Sequence, residues 1–191
     1  MDAEDIKRIV ARYLRYDCGC PILALECPSS LASSFNNGGA ADLLAVNKQG
    51  RLIEVEVKIS LADMKADKRK GKHEYYRKVM GMPYKNTQIR FGQKVTIEPQ
   101  SYPTHQFYFA VPFDLGNDAK TLCENMYPYA GLLVQGNYYY GSISVERKAT
   151  ILSKEKIGLL EATKLAKAQS GTLVRLLEEL AFYKKKQNND T

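Results

Sequence analysis

The sequence contains no apolar run approaching the roughly 20 residues that a membrane-spanning helix needs, and its opening MDAEDIKRIV is acidic where a secretory signal opens basic and continues apolar. A cytoplasmic protein without a membrane segment is expected. No long Pro/Gly/Ser linker interrupts the 191 residues, so residues 1–191 read as a single domain. Cysteine is scarce and unpaired in spacing: Cys18, Cys20, Cys27 and Cys123 include no C-x-x-C. Reduced thiols are expected. A metal site in CGCPILALEC would need a distant ligand such as Cys123 or His73.

Positive charge is abundant, and it is concentrated. Residues 64–94 carry ten Lys and Arg against Asp67 and Glu74, a net +8 in a chain whose total is +7. Tyr75, Tyr76, Tyr84 and Phe91 are interleaved with the cations, a composition suited to phosphate contacts with stacking surface. Nucleic acid or another polyanion is the partner this window points to.

Hydrophobic spacing predicts an amphipathic opening helix with Ile6, Ile9, Val10, Tyr13 and Leu14 on one face. PILALEC reads as a strand, PSSLASSFNNGGA as a loop, and ADLLAVN and RLIEVEVKIS as a hairpin turned at KQG. Ser60 and Asp63 form a capping box, so a basic helix is expected through LADMKADKRK. HQFYFAVP reads as a buried strand, AGLLVQ and YYYGSISVER as a hairpin turned at GN, and about 153–186 as helix, with Ser170 and Gly171 as a potential break. Helix, strands, helix, strands, helix predicts an α/β (α+β) domain, a central mixed β-sheet flanked by helices.

On a strand, residues i and i+2 share a face, which puts Glu54, Glu56 and Lys58 together. Asp42, on the preceding strand of the hairpin, falls near Glu56. Two carboxylates and a lysine are the donors that Mg²⁺ (or Mn²⁺) and a scissile phosphate call for. Lys58 could orient water, stabilise the phosphorane or, with a depressed pKa, act as a base. Glu54 reads as an exposed strand-end carboxylate.

These residues resemble the PD-(D/E)xK nuclease superfamily in the order helix, strand with Asp42, strand with Glu56-Val57-Lys58, helix. More narrowly, ADLLAV, IEVEVKISLADMKADK and FYFAVP resemble the DNA-repair proteins related to MmcB, with Asp63, Met64 and Asp67 at the D-F-x-x-D positions of that family. The resemblance spans about residues 1–150 and implies a restriction-endonuclease-like core and metal-dependent DNA endonuclease activity. The expected catalytic set is Asp42, Glu56, Lys58 and Glu26, with Asp42 and Glu56 as metal ligands. Glu26 is preferred to Glu4 for the additional glutamate. Lys65, Lys68, Arg69 and Lys72 are expected to line one helix face toward DNA, joined by Lys85 and Arg90 of a basic insert at about 70–104 that departs from the family pattern, as do Ile59 and Ala41. A non-catalytic DNA-binding protein with a relic site is the alternative, and a homodimer is left open.

Overall fold

The computed structural model describes residues 2–28, 31, 40–84, 87–90, 93–96, 98–136 and 141–189. Helix α1 (Ala3–Arg12) starts at Asp2, whose carboxylate accepts the Asp5 N–H at 2.9 Å. It buries Ile6, Ile9 and Val10, as their spacing predicts. Strands β1 (Ile22–Pro28), β2 (Ala40–Val46) and β3 (Leu52–Val57) follow. The β2–β3 turn is built by Asn47, whose side chain accepts the N–H groups of Gln49 and Arg51, and by Gly50 at φ +78°.

After β3 the Ser60 hydroxyl accepts the Asp63 N–H at 3.1 Å and starts α2 (Leu61–Ala66), as the capping box requires. That helix does not run on through KRK. It tightens into one 3-10 turn, Asp67–Arg69, and Lys70 is extended (φ −70°, ψ 131°) before α3 (Gly71–Val79) begins. A small antiparallel hairpin, β4 (Thr87–Arg90) with β5 (Gln93–Thr96), occupies part of the basic insert. Then come β6 (Thr104–Val111), α4 (Gly116–Met126), β7 (Gly131–Gln135), β8 (Ile143–Arg147) and α5 (Leu159–Asn189).

Six strands form one mixed sheet in the order β1-β2-β3-β6-β7-β8, antiparallel except at β3/β6 and β6/β7. The two parallel joins need crossovers, and α2–α3 and α4 supply them. Helix α1 covers one face through Leu43, Ala45, Ile53, Val55 and Val57. On the other face Phe107, Phe109, Leu132 and Val134 pack with Met64, Tyr76, Leu122 and Cys123. Leu165 of α5 packs with Ala24, Leu44 and Leu52 beside β1 and β2.

The expected mixed sheet with flanking helices is therefore present. Helix α4 was not expected, although Ala119, Leu122, Cys123 and Met126 lie at i, i+3, i+4 and i+7. Helix α5 begins at Leu159 and is continuous through Ser170 and Gly171, where the Ser170 hydroxyl donates to the Ala166 carbonyl at 2.9 Å and stays within the helix. Most of PSSLASSFNNGGA, and the turn at Asn137, lie outside the described residues. All four cysteines are free thiols. Cys20, Cys27 and Cys123 sit in three separate core clusters, which removes the cysteine metal-site alternative. No helix among the described residues is long and apolar enough to cross a membrane.

Candidate functional site

The β2–β3 ladder pairs Leu43 with Val55 and Leu44 with Glu54, so one further step places Asp42 opposite Glu56. There the Asp42 carboxylate replaces the backbone and accepts the Val57 N–H at 2.7 Å. Its other oxygen lies 3.5 Å from the Lys7 ammonium, which also binds Glu26 and, at 2.9 Å, Glu4. Burial pushes the Asp42 pKa up, and Glu56 pushes it further, against the Val57 N–H, Lys7 and Lys58. Asp42 and Glu56 thus sense one another, as the hairpin implies.

Parallel pairing of β3 with β6 leaves both faces of β3 covered, and its polar side chains are buried with the apolar ones. Glu54 is fully buried, not the exposed strand-end residue expected. It binds the Lys72 ammonium at 2.6 Å, the Tyr76 hydroxyl at 2.7 Å and the Thr104 hydroxyl at 2.8 Å. Burial opposes its charge, but Lys72 and these donors hold its pKa below the usual value. Lys72 also binds Glu56, and it is held protonated against its own desolvation by Glu54 and Glu56. The second oxygen of Glu56 faces Lys70 at 2.7 Å and Lys58 at 3.4 Å.

Asp67 closes the cluster. One oxygen lies 2.7 Å from Lys58 and 2.9 Å from Lys70, and the other 2.6 Å from His73 Nε2. Burial works against this carboxylate's charge, yet the hydrogen bond from His73 and the Lys70 and Lys58 ammonium groups hold its pKa well below the usual range. Because a carboxylate only accepts, Nε2 of His73 must carry the proton. Nδ1 is then free to accept the Tyr129 hydroxyl, 2.7 Å away. Desolvation lowers the His73 pKa despite Asp67, which favours this neutral form. In formal charge, Glu54, Glu56 and Asp67 balance Lys58, Lys70 and Lys72.

The titration of this cluster should be visible in stability. His73 has a folded pKa below its unfolded value of about 6.5, so the unfolded chain binds the extra proton and stability falls as pH drops below that value. Glu54 and Asp67, with lowered pKa values, contribute stability that is complete above about pH 5 and is lost as pH falls through the acid range. Urea unfolding across pH 3–8 should show both limbs, and His73→Asn should remove the upper one. A curve for His73→Asn parallel to wild type between pH 5 and 7 would refute the assignment.

Lys58 occupies the expected strand-end position, but burial does not depress its pKa. Desolvation is outweighed by Glu56 and Asp67, which raise it, so the role of general base falls away. Lys72 is corrected too. The break at Lys70 turns α3 so that Lys72 points into the cluster, fully buried and out of reach of a phosphate. Lys65, Lys68 and Arg69 are exposed, on two short helical pieces and not on one helix face. Lys85 lies outside the described residues, and Arg90 ends β4. Glu26 and Glu4 both reach Lys7 and approach Asp42 through it. Sequence reasoning placed Asp67 in a motif without giving it a task. It missed Lys70 and the role of His73, for which the only signal was dense charge close behind a strand.

Among the described residues, no group of three or more His, Cys, Asp or Glu stands where it could hold a metal ion. No protein-family model and no curated protein matches the chain. A solved structure of a protein of unknown function, SPO1766 from Silicibacter pomeroyi, resembles it with a TM-score of 0.54 and 18% identity, covering 95% of this chain and 92% of that one. The likeness is one of fold.

Proposed function

We propose that the protein is a metal-dependent deoxyribonuclease with a restriction-endonuclease-like core, related to the MmcB-type DNA-repair proteins. One observation carries this reading: Asp42 and Glu56 stand on adjoining strands at one end of the sheet, with the Lys58 ammonium 3.4 Å from Glu56. Oxygen donors from two carboxylates suit Mg²⁺ or Mn²⁺, which commonly takes one or two from a protein and completes its shell with water and substrate phosphate. Asp42 is half-buried, and the oxygen that does not serve Val57 lies 3.5 Å from Lys7. On this reading Asp42 and Glu56 would hold the ion, which would polarise the phosphate and activate water. Lys58, held charged by Glu56 and Asp67, would stabilise the negative charge that develops on the phosphate oxygens.

The balanced charge of the buried cluster supports a second reading, that of a DNA-binding protein whose lysines have taken over the cation position. Purified protein incubated with Mg²⁺ or Mn²⁺ and a panel of linear, branched and single-stranded DNAs distinguishes the two. Cleavage that EDTA abolishes and Asp42→Asn removes is the expected result. DNA binding without cleavage on every substrate would favour the second reading.

Both readings assign DNA contact to Lys65, Lys68 and Arg69. Replacing all three with Ala should lower the slope of log K against log salt by about 0.9 for each phosphate that these side chains neutralise on duplex DNA. An unchanged slope would move the binding surface elsewhere.

A further inference from the structure

The three lysines of the cluster are not equivalent. Lys72 is fully buried and Lys58 nearly so, whereas the Lys70 side chain is 30% exposed. Lys70 is also the residue whose backbone is extended, between the 3-10 turn and α3, so its side chain can swing outward without unpacking a helix. Its ammonium lies 2.7 Å from Glu56 Oε2 and 2.9 Å from Asp67 Oδ1. It is thus the nearest cation to the Glu56 oxygen that Lys72 does not bind; Lys58 lies 3.4 Å from that oxygen, and Lys72 binds Oε1.

A divalent cation arriving at Glu56 meets a carboxylate whose two oxygens are already paired, Oε1 with Lys72 and Oε2 with Lys70 and Lys58. To bind there it must displace an ammonium group. Lys58 is fixed by Asp67 at 2.7 Å with Asp63 at 3.7 Å beyond, and Lys72 is enclosed between Glu54 and Glu56. Of the three, Lys70 has by far the most exposed side chain, at 30% against 6% for Lys58 and none for Lys72.

We propose that Lys70 is a built-in competitor for the divalent cation: its ammonium holds Glu56 Oε2, at 2.7 Å, until a metal ion displaces it. This rests on the reading of Asp42 and Glu56 as the cation's ligands and adds a regulatory element to it. The free protein keeps Glu56 paired and its site closed. The metal binds only by exchanging places with a charge that the chain itself supplies, and metal affinity is lowered accordingly. Once displaced, Lys70 stands at the mouth of the site as a cation available to the phosphate.

The test is direct binding of Mn²⁺ to the full chain without DNA, followed by the paramagnetic resonance signal of the free ion. Lys70→Met and Lys70→Gln should each bind Mn²⁺ on the order of tenfold more tightly than wild type, the size expected when a charged hydrogen bond no longer competes. Adding Asp42→Asn to either variant should abolish the gain. If wild type binds Mn²⁺ in an Asp42-dependent way and both Lys70 variants bind within twofold of it, Lys70 does not compete, while the metal site stands. If neither wild type nor the variants bind Mn²⁺, the metal site and its competitor fall together.

Discussion

Replacing Lys72 with Ala should lower the free energy of unfolding by about 3–5 kcal/mol, because it strands the fully buried Glu54 without its cation and leaves Glu56 only Lys70 and Lys58. For a chain whose whole stability is expected near 5–15 kcal/mol, that is enough to move the urea midpoint far toward zero. Tyr76 and Thr104 would still donate to Glu54, but neither supplies charge. The double variant Glu54→Gln, Lys72→Met should be markedly less damaged than the sum of its parts, since the amide can keep neutral hydrogen bonds and no unpaired cation remains. A loss below about 1 kcal/mol for Lys72→Ala would mean that water reaches Glu54 and that the cluster is not closed.

The second large effect concerns Lys58. On the proposed nuclease reading, Lys58→Ala should reduce the single-turnover cleavage rate with Mg²⁺ by roughly 10²–10³-fold, the usual consequence of removing a donor aimed at developing charge. Lys58→Arg should recover part of it, because the charge survives while the compact ammonium does not. Asp67 retains Lys70 and His73 as partners, so the urea midpoint of Lys58→Ala should fall much less than that of Lys72→Ala. Wild-type cleavage by Lys58→Ala would remove Lys58 from the chemistry.

Local patterns were legible where a local interaction decides the outcome. The Ser60 cap, the Asn47–Gly50 turn and the β2–β3 hairpin all follow from side chains within four residues of the backbone they serve. The mixed sheet was legible from the order of the elements. What was not legible depended on distant partners. Glu54 reads as a surface residue until α3 is laid across β3 and brings Lys72 and Tyr76 down onto it. Lys72 reads as one of several cations on a continuous helix until Lys70 breaks that helix. The periodicity of KADKRKGKHEYY cannot report the break, because charged residues there serve both the surface and the interior. Helix α4 was missed for a simpler reason: its apolar spacing sits between a proline-ended strand and a tyrosine-rich turn and is only eleven residues long.

Glu26 faces Asp42 across β1 and β2, between the pairs Leu25–Leu43 and Cys27–Ala41, yet its φ is +51°. A side chain held in that left-handed region costs on the order of 1–2 kcal/mol that glycine would avoid. Folding economy alone would therefore choose glycine at this position. With glycine, that cost would vanish, and Lys7 would keep Glu4 and Asp42 but lose Glu26. The chain instead carries a carboxylate there, on a left-handed backbone beside the proposed cation ligand Asp42. Residue 26 is thus a point where robustness of the scaffold and placement of a charged group pull in opposite directions, and any redesign for thermal stability that starts with glycine at 26 would erase the electrostatic neighbourhood of Asp42.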